Sequence, residues 1–118
     1  MTPDEVLSKL AMLGINTSER TLQRYVKDEL IPMPERKSGG RGKGKITDYQ
    51  EETPAEFYAS FKLRHEFNAK SDLIAKSRQE GLGKEKPINT AEKNPESMIV
   101  TGFSLIWISL VQEAIKRG

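Results

Sequence analysis

The run Ser18–Pro32, SERTLQRYVKDELIP, decides how the rest of the chain is read. Leu22, Tyr25 and Val26 recur at helical spacing, with Leu30 and Ile31 just beyond. Arg20, Thr21, Gln23, Arg24 and Lys27 fall on the opposite side. A helix is therefore expected from Thr17 or Ser18, either able to cap it, to about Lys27. Pro32 and Pro34 stop it and lead into an extended segment. One side of such a helix must rest on a partner, while the other presents cations and an amide to solvent.

Toward the N-terminus, Thr2-Pro3-Asp4-Glu5 is a strong helix start: a cap, a proline suited to the first turn and a glutamate that can reach back. Val6, Leu7, Leu10, Ala11 and Leu13 form its apolar face. Gly14 is placed to end the helix in a left-handed conformation, with Ile15 tucked beneath. Two short helices thus flank a turn at Gly14–Thr17.

Toward the C-terminus, Arg36–Lys45 reads RKSGGRGKGK, with five basic residues, four glycines and no acid. Short extended pieces near Ile31 and Ile46–Tyr49 flank this cationic loop. Between Arg20 and Ile46 eight basic residues stand against three acidic ones, an excess of five, whereas the whole 118-residue chain carries only +2. The charge is local, which is the electrostatic pattern of a nucleic-acid contact.

Thr53-Pro54-Ala55-Glu56 repeats the opening device and predicts a third helix with Phe57, Tyr58, Phe61 and Leu63 available for packing. That helix either continues past Phe67 or breaks near Asn68–Asp72 and restarts, and Gly81 and Gly83 end it. Lys84–Glu92 is a polar link, and a last helix is expected from Asn94-Pro95 to Arg117.

Two helices around a turn, followed by a basic loop, make a helix-turn-helix with a wing. A helix fits the major groove, and its N-terminal residues meet base edges. Arg20, Gln23 and Arg24 can reach bases or phosphate, and Ser18 and Thr21 lie near a helix N-terminus that favours a phosphate. Taken singly, Arg20 and Arg24 would equally suit the solvated face of an ordinary helix. The cationic loop after them favours DNA. Tyr25 is expected half-buried, with its hydroxyl outward.

The run S18-E-R-T21-L22-Q-R-Y25-V-K-D-E-L30-I31-P32 resembles the second-helix signature of MerR-type regulators, in which Ser, Thr-Leu three residues on, Tyr and a closing Leu-Leu/Ile-Pro recur. Arg41–Tyr49 followed by Thr53–Tyr58 is similar to that family's wing and the aromatic residue after it. The resemblance covers roughly residues 6–63. Glu29 stands where the family usually has glycine.

The resemblance implies a mainly α fold: a winged helix-turn-helix with a short β wing over residues 1–67, then a helical C-terminal region, 68–118, used for dimerisation. It also implies a transcriptional regulator bound to double-stranded DNA. Ser18, Thr21, Tyr25 and the wing cations Arg36, Lys37, Arg41, Lys43 and Lys45 would touch phosphates, while Arg20, Gln23 and Arg24 face the groove, with Lys27 at the end of the same polar side. MerR-type proteins are typically dimers joined by a long helix after the wing. In this chain Val100, Phe103, Trp107, Leu110 and Ala114 alternate three and four apart, and Ile99, Ile106, Leu105, Ile108 and Val111 widen the surface, so that one side can pack on its own domain and the other on a second copy. The expected homodimer contacts are Ile99, Val100, Phe103, Ile106, Trp107, Leu110 and Ala114.

Other classes are disfavoured. No cysteine is present, so disulfides, thiolate metal sites and cysteine nucleophiles are excluded. His65, the single histidine, has no obvious partner and reads as structural or surface. No nucleophile–base set, phosphate loop or metal cluster is legible, so neither an enzyme nor a cofactor is expected, and no small-molecule effector is evident. Met98–Val111 is apolar in ten of fourteen positions, short of the ~20 residues that cross a membrane. A soluble, cytoplasmic protein without a membrane partner is the expectation. Two alternatives remain: an architectural or recombination accessory factor on DNA, and a protein-interaction module that docks through the C-terminal apolar helix.

Overall fold

The computed structural model describes residues 1–38, 45–83 and 95–117. In chain order these form α1 (Pro3–Met12), α2 (Glu19–Lys27), the strands β1 (Glu35–Ser38) and β2 (Lys45–Asp48), α3 (Thr53–Glu66), α4 (Ser71–Gly81) and α5 (Pro95–Arg117). The fold is mainly helical, with one two-stranded antiparallel sheet.

The capping box legible at Thr2 is present. Thr2 Oγ1 accepts from the Glu5 amide at 3.2 Å, and Glu5 Oε1 accepts from the Thr2 amide at 3.1 Å. At the other end of α1, Gly14 sits at φ +87°. The Ile15 amide donates to the Leu10 carbonyl at 2.8 Å and the Gly14 amide to that of Ala11 at 3.0 Å, which closes the helix in a Schellman motif. Ser18 caps α2. The same closing motif ends α2, where Leu30 donates to the Tyr25 carbonyl (2.9 Å) and Glu29 to that of Val26 (3.1 Å). Glu29 occupies the left-handed position with φ 62°.

The hairpin pairs Glu35 with Asp48 and Ser38 with Lys45. Its first strand starts later than the extended piece expected near Ile31. Ile31 is buried in the core, so the chain must pass Pro32 and Pro34 before it can turn outward. The base of the hairpin is tied to the chain start: the Met1 amino group donates to Asp48 Oδ1 at 2.6 Å, and the Tyr49 amide donates to the Met1 carbonyl at 2.7 Å.

The second capping device, expected at Thr53–Glu56, does not form. Thr53 is the first residue of α3 rather than its cap, and Glu52 in the cap position makes no side-chain bond. Every residue from Thr53 to Ser60 is buried. Thr53 Oγ1 has no hydrogen-bond partner among the described residues. Glu56 is committed to Arg78 of α4, whose Nε lies 2.6 Å from Glu56 Oε1. The same Thr-Pro-x-Glu pattern therefore caps α1, where the first turn is exposed, and joins two helices where it is enclosed and a charged partner outcompetes a backbone amide. α3 ends at Glu66 with Phe67 as its C-cap, Asn68 turns the chain at φ 55°, and α4 starts as a separate helix.

Helix α3 is the centre of the molecule, with α1, α4 and α5 packed on it. One apolar cluster joins Val6, Leu10, Leu22 and Phe57 to Ile74, Trp107 and Ala114. The two regions expected on either side of residue 67 thus share a single core. Within α5, Val100, Ser104, Trp107 and Ala114 face inward, at 8, 4, 2 and 3% exposure. Gly81 permits the approach of α5 to α4: a Cβ there would lie 3.2 Å from both Ile108 Cγ1 and Trp107 Cε3. Over Met98–Arg117, α5 has the length and apolar composition of a membrane-crossing helix, with a mean hydropathy of 1.7. The fourteen-residue stretch read from sequence understated its length.

Candidate nucleic-acid interface

Helix α2 divides as its spacing predicts. Leu22 and Tyr25 are buried, and Arg20, Gln23, Arg24 and Lys27 are exposed. These four positions, separated by three, one and three residues, lie on one side of the helix. Among the described residues, the side chains of Arg20, Arg24 and Lys27 form no hydrogen bond or ion pair. Arg24 and Lys27 also stand in the last turn of α2, where a cation suits the helix end. The three charges span roughly 10 Å of helix axis, about three base-pair steps of B-DNA.

Ser18 and Thr21 are occupied by the helix itself. Ser18 Oγ accepts from the Thr21 amide at 3.4 Å, and the two hydroxyls lie 3.3 Å apart. Tyr25 corrects an expectation: it is 3% exposed rather than half-buried. Its ring stacks on Phe57 with centroids 4.2 Å apart, because α2 lies against the aromatic side of α3. Burial raises the Tyr25 phenol above its ordinary value, and the neighbouring charge of Arg64 partly offsets the rise.

Arg36 is exposed on β1. Lys37 and Lys45 are strand positions, paired with Ile46 and Ser38 respectively. Arg41 and Lys43 lie outside the described residues. The hairpin base stands near the start of α2. Burial raises the Tyr49 phenol, and Glu19 in the first turn of α2 adds to the rise. The opposite end of α2 is acidic, with Asp28, Glu29 and Asp72 around a shallow depression shared with Lys76.

Arg64 escaped the sequence reading. It is exposed on α3, donates to Ser71 Oγ at 3.3 Å and neighbours Tyr25. The usable signal was periodic: Phe57, Phe61 and His65 continue the stack that begins at Tyr25, and Arg64 lies on the same side of α3. His65, expected to lack a partner, rests on the Phe61 ring at 4.2 Å.

The seven residues expected at a dimer contact do not share one surface. Val100, Trp107 and Ala114 are buried in the chain's own fold, and Trp107 Nε1 donates to Ser60 Oγ at 3.1 Å. Phe103, Ile106 and Leu110 are half-buried, and Ile99 is exposed. A helix apolar on all sides gives no periodic signal for which stripe turns inward. The outer stripe is Met98, Gly102, Leu105, Ser109 and Gln112, all exposed and alternating four and three apart. No family model, curated protein or solved structure matches the chain.

Proposed function

We propose that the chain is a DNA-binding transcriptional regulator of the MerR-like winged helix-turn-helix type, working in the cytoplasm without catalysis or cofactor. Helix α2 enters the major groove, and the basic hairpin lies along the phosphate backbone. The observation that carries this reading is the exposed side of α2, where Arg20, Gln23, Arg24 and Lys27 face solvent with the three charges in no ion pair among the described residues, while Leu22 and Tyr25 anchor the helix to the core. The hairpin adds cations beside the start of the same helix. Arg64 extends the positive surface from α3.

The regulator acts as a homodimer joined along the outer stripe of α5, centred on Leu105, which is 65% exposed. Gly102 supports close approach, since a Cβ there would meet nothing within 4 Å. A second copy explains an exposed stripe that mixes Met98 and Leu105 with Gly102, Ser109 and Gln112 better than a lipid bilayer does. The inward side of α5 is already committed to α3 and α4 through Trp107, Ser104 and Ala114. Dimers also match the two-fold symmetry of paired half-sites.

The test is binding of a random duplex of about 30 base pairs, three helical turns, at low and high salt. The expected result is salt-sensitive binding that Arg24→Ala plus Lys43→Ala weakens. Absence of binding at low salt would remove the DNA reading.

A further inference from the structure

The residues that follow α2 are held by two polar connections, one buried throughout and one part-buried where it meets Glu29, that base or phosphate contact does not use. Ser60 Oγ donates to the Leu30 carbonyl at 2.8 Å, and Trp107 Nε1 donates to Ser60 Oγ at 3.1 Å. One carbonyl earlier, Arg78 Nη1 donates to Glu29 at 3.3 Å, while Arg78 Nε donates to Glu56 Oε1 at 2.6 Å. Ser60, Trp107, Arg78 and Glu56 are all buried. Two consecutive carbonyls behind the cationic helix are thus gripped from α3, α4 and α5. The amides of the same two residues close α2 on Tyr25 and Val26.

The chemistry is specific to orientation. A core needing only apolar volume at position 107 would be filled by an aliphatic or phenyl side chain, whereas an enclosed indole N–H demands an acceptor. Ser60 supplies the acceptor and turns its own proton to the Leu30 carbonyl, so α5 is linked to the end of α2 through one hydroxyl. A buried ion pair such as Glu56–Arg78 contributes little net stability over apolar packing, but removing either partner is costly, so it fixes geometry. Arg78 spends its second donor on a residue held in the left-handed conformation.

We propose that Trp107, Ser60 and Arg78 are positioning residues for α2, fixing through the Leu30 and Glu29 carbonyls the direction in which its cationic side leaves the core. The functional meaning rests on the DNA reading of α2. The mechanical claim does not.

The experiment uses the full chain carrying Ser60→Ala, Trp107→Phe, both together, or Arg78→Lys, which keeps the charge opposite Glu56 but not the guanidinium fork that reaches a second, separate acceptor. Amide hydrogen exchange is followed at Asp28, Glu29 and Leu30, with Gly14 and Ile15 as internal control. Those control amides close α1 with the same motif and have no such anchor. Each single variant is expected to speed exchange at 28–30 by about tenfold relative to the control, the size of losing a buried hydrogen bond and leaving its acceptor unpaired. The double variant should be no faster than Ser60→Ala alone, because both act through one chain. Affinity for the random duplex should fall with no change in its salt dependence, since no cation is removed. Equal acceleration at both motifs, or a double variant that multiplies the single effects, would overturn the positioning role. Failure of the wild-type chain to bind duplex would retire the DNA reading alone, and the exchange pattern would still decide the anchor.

Discussion

Glu29 carries a conformation that most side chains avoid. At φ 62° its Cβ crowds the following carbonyl, at a cost of about 1 kcal/mol or more for an L-residue. Glycine closes α1 at the equivalent position, Gly14, where the cost vanishes. What holds Glu29 there is the pair of amide bonds at the end of α2 and the Arg78 donor on its carbonyl. Among the described residues its own carboxylate contributes an exposed contact from Gln79 at 3.4 Å. Glu29→Gly should therefore raise stability by several tenths of a kcal/mol, the strain relief slightly exceeding the entropy that glycine adds to the unfolded chain. Glu29→Val, β-branched at the same φ, should lower it by more than about 1 kcal/mol. Urea unfolding of the two variants checks the ordering, and its reversal would mean that Glu29's side chain supports the fold in its own right.

Among the elements, α1 offers a pH-dependent test. Hydrogen bonds from the Thr2 backbone and then its side chain hold the Glu5 carboxyl below its ordinary value of 4.5. A depressed carboxyl pKa adds stability above the ordinary value and loses it as the pH falls through the depressed one. The midpoint difference between wild type and Glu5→Ala should thus be constant from neutral pH down to about 5 and shrink below 4. A difference that persists undiminished at the lowest pH would place the effect outside the capping box. This cap was legible because every atom in it lies within four residues. The helices, the left-handed turn at Gly14 and the exposed side of α2 were legible for the same reason. The device at Thr53 was misread because its outcome depends on Arg78, twenty-two residues beyond Glu56. Burial of Tyr25 depends likewise on Phe57, and the inward stripe of α5 on Ser60 and Gly81. Periodicity located the faces of these helices, whereas the partners of each face are set by tertiary packing.

For the whole molecule the account has two parts, a dimer and a DNA surface, and they fail separately. Leu105→Glu places a charge on the outer stripe of α5 without touching its inward seam, so the variant should remain folded by circular dichroism but sediment as a monomer where the wild type sediments as a dimer. A wild-type chain that is monomeric at high concentration would assign the outer stripe to another partner. The DNA surface is tested most directly by the salt dependence of duplex affinity for the wild type and for Arg20→Ala/Arg24→Ala/Lys27→Ala. The three side chains are exposed and form no ion pair among the described residues, so their removal should leave the unfolding free energy within about 0.5 kcal/mol of wild type. The log–log slope of affinity against salt should become shallower by about 0.9 for each cation that meets a phosphate, with weaker binding at every salt concentration. Superimposable curves for the two proteins would contradict the placement of α2 on DNA, whatever else the chain binds.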